Sequence, residues 1–322
     1  MPAGLQSIHI DTVTGWENDD LQLLRNLKRL GHTSPKYRDY LRTQQDTADN
    51  AGPDLQLVWL KKMKKIMNQI DNSGAADKLW VVPFTNRSFR FLDLGCCPGG
   101  FSTYILKKNK ESTSVGVSLD PAQGGHPYLL EEALRYPFNS MIPDAVDPTP
   151  SHAQLPLIPV PDILLVRDFD LVLLDAHHLR NQTGSTHDLL AISQVLLALL
   201  SIKFGGTIVM KLASPDSQYS ATMAFHGWIC SLLRFRFTSL MLCINEVIPG
   251  LRRVWECLRQ RNSGPRGSGK EGLVVGDLDF IVDKKQLEES YGGRLHELCS
   301  CVWKLQATAL ETLFSEMGIH TT

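Results

Sequence analysis

The spacing of apolar residues changes along the chain, and each change marks a different kind of element. Leu21, Leu23, Leu24, Leu27 and Leu30 recur at helical intervals, so the spacing predicts a helix capped by Asn18 or Asp19 and ended by Gly31. A second helix is predicted from Asp54 to Ile70, with Leu57, Leu60, Met63, Met67 and Ile70 on one face and Lys61, Lys62, Lys64 and Lys65 over much of the rest. Asp71 to Ala76 reads as a small-polar linker. From Phe89 the pattern becomes short apolar runs alternating with helical segments. Strands are predicted at 89–94, 114–119, 140–142, 169–174 and 207–210, and the last strands at Thr238 to Ile244 and Val254 to Leu258. Between them come helices through Phe101, Ile105 and Leu106, through Leu129, Leu130 and Leu134, from Asp188 to Phe204 closed by Gly205-Gly206, and from Ser220 to Leu233. Such alternation predicts a mostly parallel sheet covered on both faces.

Other stretches break the pattern. Five prolines between Pro148 and Pro161 make that segment an irregular insertion. Arg261 to Gly272 reads as a mobile loop, and Leu273 to Val282 as a short element. Two closing amphipathic helices are predicted, Lys284 to Leu298 and Val302 to Glu316. The organisation expected is a helical N-terminal extension over 1–79, an α/β domain over 80–262, and a loop with C-terminal helices over 263–322.

Composition adds limits. With 322 residues, 43% hydrophobic and 21% charged, the chain can bury a sizeable core. A formal net charge of -1 means that any nucleic-acid site is a local basic patch. The seven cysteines form no Cys-x-x-Cys pair, and no His or Cys cluster has zinc-ligand spacing, so no metal is expected. Reduced cysteines, no secretory pattern in Met1 to Asn18 and no membrane-length apolar run point to an intracellular home, cytoplasm or nucleus, away from membranes.

The chemistry concentrates at the ends of the predicted strands. Gly95 to Gly100 is a turn between a strand and a helix, which offers free backbone N–H groups to a ligand. Ligands of parallel α/β sheets sit beyond the carboxyl ends of the strands, and that rule collects Asp93, Ser118 or Asp120, Asp144, Asp175 and Lys211 on one rim. Each of these residues alone also serves as a helix cap or turn former.

The string Leu-Asp-Leu-Gly-Cys-Cys-Pro-Gly-Gly-Phe-Ser, with Phe-Asp-Leu-Val-Leu-Leu-Asp-Ala and Gly-Gly-Thr-Ile-Val-Met-Lys-Leu further on, resembles the FtsJ-like (RrmJ-type) S-adenosylmethionine methyltransferases. The resemblance runs over roughly residues 55 to 260. It implies a Rossmann-like class I methyltransferase sheet of seven strands, the last antiparallel, and S-adenosyl-L-methionine as cofactor. The cofactor contacts it implies are Asp93, Gly95, Cys96, Cys97, Pro98, Gly99, Gly100, Phe101 and Ser102 at the turn. Ser118 and Asp120 would face the ribose and Asp144 the adenine, with Asp175 at the reacting end.

The family's 2′-O-methylating members use a Lys-Asp-Lys-Glu tetrad. Asp175 and Lys211 match its middle members, and Lys62 is the nearest match to the first, with Lys61 next. The glutamate is displaced: aligning Trp255 with the family's aromatic puts Arg253 where the acid belongs, and leaves Glu256 as the nearby candidate on the opposite strand face. The leading expectation is methylation of an RNA ribose 2′-hydroxyl with Lys211 as base. The alternatives are a small-molecule or protein acceptor, or an inactive S-adenosylmethionine-binding module. Two basic segments, Lys61–Lys65 and Arg252–Lys270 (Arg252, Arg253, Arg259, Arg261, Arg266 and Lys270), read either as solvated surface or as RNA phosphate contacts. His177 and His178 are adjacent on extended chain, so they are expected to line a pocket or cap the next helix rather than share a metal ion.

Overall fold

A computed structural model of the chain describes residues 18–77, 88–135, 138–141, 162–177, 187–212, 222, 246–262, 272–274 and 276–320. These fall into two compact units. One holds α1 (Asp19–Thr33), α2 (Pro35–Asp49) and a long closing helix, α8 (Lys284–Glu316). The other holds the sheet with α3 (Pro53–Asp77), α4 (Gly100–Lys108), α5 (Glu132–Arg135), α6 (His187–Ser201) and α7 (Ile248–Asn262).

In the first unit Asn18 caps α1 by accepting from the Leu21 N–H at 2.9 Å, and Ser34 caps α2. Leu21, Leu24 and Leu27 of α1 pack against Leu287, Tyr291, Leu295, Cys299 and Trp303 of α8. That buried stripe continues from Leu295 through Cys299 to Trp303, which is why one helix stands where two were expected.

The second unit is built on five parallel strands, β1 (Arg90–Leu94), β2 (Thr113–Val117), β3 (Phe138–Met141), β4 (Phe169–Leu174) and β5 (Ile202–Met210), in the order β3-β2-β1-β4-β5. The order reverses between β1 and β4, and ligands of such sheets bind beyond the carboxyl ends of the strands at that point. Phe89, Phe91, Leu171 and Leu173 meet Met67 of α3 and Ile105 and Leu106 of α4 on one face. Leu92, Leu94, Val115, Val172 and Leu174 meet Ala198 of α6 on the other.

Five further segments differ from the sequence expectation. The supposed linker Asp71 to Ala76 is the last part of α3. Ile202, Lys203 and Phe204 belong to β5 and not to the preceding helix, because Ile202 pairs with Phe169 and Lys203 forms an ion pair with Asp170. The helix expected through Leu129 and Leu130 is confined to α5, four residues. Val254 to Leu258 is part of α7, whose Leu251, Val254 and Leu258 are buried at intervals of three and four, a helical and not a strand period. Leu273 to Val282 forms turns, not a strand or helix, among its described residues. The expected insertion at 148–161, the helix at 220–233 apart from Thr222, the strand at 238–244 and most of the loop at 261–272 lie outside the described residues.

Candidate active site

The glycine turn is shaped by the protein's own packing. Gly95 has φ +85°, and a Cβ there would stand 2.4 Å from the Ala176 nitrogen, so β1 and β4 close on each other only through a glycine. A Cβ on Gly100 would stand 2.4 Å from Met63 Cβ and 2.7 Å from the Leu60 carbonyl. This contact seats α3 on the first turn of α4. The Cys97–Pro98 peptide is cis, and Gly99 precedes α4 with φ +105°.

Strand alternation decides which polar residues share a face. Phe91 and Leu173 point to the α3/α4 side, so Asp93 and Asp175 do too. Val209 lies on that side, and Lys211 follows with the same parity. Val115 and Val117 lie on the α6 side, which turns Ser118 toward α4. Asp93, Ser118, Asp175 and Lys211 thus occupy one face at the carboxyl ends of β1, β2, β4 and β5. Backbone bonds continue the ladder through them, with Asp175 N–H donating to Leu94 O at 2.9 Å and Lys211 N–H to Leu174 O at 3.1 Å.

Asp93 is fully buried and accepts a 2.5 Å hydrogen bond from the Ser102 hydroxyl. Burial pushes its carboxyl up to about 7; the hydrogen bonds from Ser102 oppose the shift and the neighbouring Asp175 adds to it. Its Oδ1 has no hydrogen-bond partner. The Tyr128 hydroxyl, itself raised by burial first, lies beside Ser102. Cys96 is buried and its thiol is held up by hydrogen bonding to Cys97 and then by burial, while Cys97 also bonds to Ser118.

Lys211 Nζ lies 2.7 Å from Asp175 Oδ1 in an ion pair that lacks the alignment of a hydrogen bond, with the lysine side chain 64% exposed and the aspartate 7%. The sequence motifs include Asp175 but nothing that shows how it is held. Gln194 of α6 does this: it accepts from Ala176 N–H and donates to Ala176 O, both at 2.9 Å, and so fixes the chain just past Asp175. No sequence signal marked Gln194, since a glutamine in an apolar helix has many other uses. His177 Nδ1 folds back to within 3.0 Å of the Asp175 carbonyl.

A family model for FtsJ-like methyltransferases matches residues 62–228, just over half of the 322-residue chain. The chain belongs to that family. It is therefore an S-adenosylmethionine-dependent methyltransferase. No curated protein matches it. Among the described residues of this FtsJ-like enzyme, no helix is long and apolar enough to cross a membrane.

The residues at the turn fit S-adenosylmethionine. A buried carboxylate with an open oxygen suits a cationic group, and α4 begins directly after the turn with no side chain capping its N-terminus. Asp93, Gly95, Cys96, Cys97, Pro98, Gly99, Gly100, Phe101 and Ser102 form one continuous strand–turn–helix unit there. Asp120 caps the short turn Pro121–Gln123 by accepting from Ala122 N–H at 2.8 Å. Asp144 and His178 lie outside the described residues.

The fourth tetrad position is not where a strand would put it. Glu256 and Arg253 are exposed on α7, which packs chiefly on α6, the helix that covers the sheet face away from Asp93 and Asp175. The anchor is Trp255, whose Nε1 donates to Ser193 Oγ at 2.8 Å, with Arg259 stacked over its ring. The expectation that Arg253 and Glu256 point to opposite faces of a strand therefore fails, because a helix carries the segment. Lys61 and Lys62 are exposed on α3 beside the Met63–Gly100 contact. Of the second basic segment, Arg252 is also exposed on α7, Arg261 donates to Gly272 O at 3.1 Å, and Arg266 and Lys270 lie outside the described residues.

Proposed function

We propose that this methyltransferase acts on an RNA ribose 2′-hydroxyl, with Lys211 as the base and Asp175 holding it. The observation that carries the reading is the Asp175–Lys211 ion pair on the same sheet face as Asp93, at the point where the strand order reverses. S-adenosylmethionine supplies an electrophilic methyl group on a sulfonium sulfur. The protein's part is then to align an acceptor oxygen and remove its proton. Asp93 and the first turn of α4 hold the donor, with Ser118 and Asp120 toward its ribose. Asp175, fixed through Gln194, keeps the Lys211 amine at the strand ends. An acceptor hydroxyl that reaches Lys211 has that amine as its proton acceptor. Lys62 contributes positive charge from α3, and Lys61–Lys65 offer phosphate contacts. Three of the four tetrad positions are carried here by Lys62, Asp175 and Lys211, and Glu256 is left out. A Rossmann-like sheet with an antiparallel last strand is part of the same proposal.

Transfer of labelled methyl to RNA, followed by digestion to nucleosides, is expected to give 2′-O-methylated nucleosides. Label on a base, on protein or on a small molecule instead would replace the RNA ribose reading.

Asp93 gives a further expected result. Its folded value of about 7 lies above the ordinary 3.8, so the folded state binds the extra proton. The stability tied to it is whole below the unfolded value and lost as pH rises through about 7. Asp93→Asn is expected to flatten the loss of thermal stability between about pH 4 and pH 7. A cation seated beside Asp93 favours its ionised form, so donor affinity rises over the same interval with proton release. Calorimetry in buffers of different ionisation enthalpy reads that proton, and an identical heat in all of them would refute the coupling.

A further inference from the structure

The helix that carries Lys61 and Lys62 also brings an aromatic ring to the rim. Trp59 of α3 meets His126 edge to face, with ring centroids 5.1 Å apart and planes at 68°. The two rings come from segments that are separately held. α3 is seated by Leu60 and Met63 against Gly100, at the start of α4. His126 lies in the connection after β2, beyond Ser118 and Asp120, and that connection is tied to the glycine turn by Leu129 N–H donating to Pro98 O at 3.0 Å. Both rings are therefore fixed relative to the turn proposed to hold the methyl donor.

Exposure along α3 separates Trp59 from a core residue. Met67, two turns on, is fully buried, whereas Trp59 is only half-buried. Val58, Lys61, Lys62 and Lys65 next to it are exposed, Val58 at 56%. Residues three apart on a helix are neighbours, so Lys62 stands beside the Trp59 ring. A half-covered indole with cations alongside is the pairing that single-stranded nucleic acid uses: bases stack on the ring, and phosphates take the charges.

We propose that Trp59, backed by His126, is the stacking platform for a nucleobase of the methyl acceptor, with Lys61 and Lys62 meeting the adjoining phosphates. The inference rests on the RNA reading above and deepens it. Stacking tolerates any base, so the platform sets the position of the target nucleotide and not its sequence. Holding the base restricts where its ribose can stand relative to Lys211.

The test uses the full chain and three variants, Trp59→Ala, Trp59→Phe and His126→Ala. For each, the Kd for a short single-stranded RNA, the Kd for S-adenosylmethionine and the thermal midpoint are measured. Trp59→Ala is expected to weaken RNA binding by roughly tenfold or more, with donor binding unchanged. Trp59→Phe is expected to keep most of the RNA affinity, and His126→Ala to lose a smaller part. Trp59→Ala with unaltered RNA affinity overturns the platform and leaves the RNA reading standing. Loss of donor binding in place of RNA binding overturns it by assigning the ring to the donor's adenine. Trp59→Phe as defective as Trp59→Ala, with an equal fall in midpoint, overturns it in favour of a packing role. A wild-type chain that binds no RNA removes both the platform and the reading beneath it.

Discussion

Lys211→Ala is expected to slow methyl transfer by about 10²- to 10⁴-fold, the range a positioned proton acceptor contributes, while the Kd for S-adenosylmethionine holds. The donor's proposed contacts gather at Asp93 and the glycine turn, and Lys211 is reached from β5, two strands from β1. Stability should also hold, because the side chain is 64% exposed and a pair open to water on one side contributes little. Lys211→Arg sharpens the test. Arginine keeps a cation for Asp175 but does not lose a proton in proteins, so it preserves the ion pair and removes the base. Single-turnover rates with saturating donor are the measurement. An arginine variant near the wild-type rate would show that Lys211 serves as a structural counter-ion to Asp175, and the proton acceptor would have to be sought elsewhere.

Gly95→Ala is expected to have the largest effect on folding. The left-handed φ of +85° costs an L-residue about 1–2 kcal/mol. The new Cβ would stand 2.4 Å, 2.5 Å and 2.7 Å from Ala176 N, Ala176 Cα and Asp175 C. These are backbone atoms that cannot rotate aside, so overpacking adds about 1–3 kcal/mol. The sum, about 2–5 kcal/mol, is a large fraction of what a domain has to lose. Relief would come from moving the end of β4, and Asp175 with it, so donor binding and turnover should fall even in the fraction that folds. Denaturant titration gives the stability change, and a loss below about 0.5 kcal/mol would contradict the packing argument. Gly100→Ala is the comparison: its Cβ would meet Met63 Cβ, so the variant is expected to loosen α3 from α4 and leave Asp175 in place.

Much of the site was legible because it is local in sequence. Asp93 to Ser102 is one strand, one turn and one helix start, and neighbouring residues along the chain fix its geometry. Asp175 and Lys211 were legible for a related reason, since each ends an apolar run that could only be a buried strand. The segment around Glu256 was misread as a strand, although its buried residues, Leu251, Val254 and Leu258, follow a helical period. Ile202 to Phe204 was misread because the apolar run of α6 passes into β5 without a break, and the pairing of Ile202 with Phe169 decides the boundary. No local pattern could have announced Gln194 or the Trp59–His126 contact, which join residues far apart in the chain.

The sequence by itself determined the strand–turn–helix unit, the acid before it and the family to which the enzyme belongs, because glycine, proline and alternation act over a few residues. Only the tertiary structure decided why the turn needs its glycines. At Gly95 and Gly100 the space a side chain would fill is taken by Ala176 and by α3, so these positions are required by packing whether or not a ligand approaches. It also decided which polar residues act together. Asp93, Ser118, Asp175 and Lys211 meet on one sheet face because parallel pairing sets four strand ends in register, an arrangement written in no single stretch of the chain.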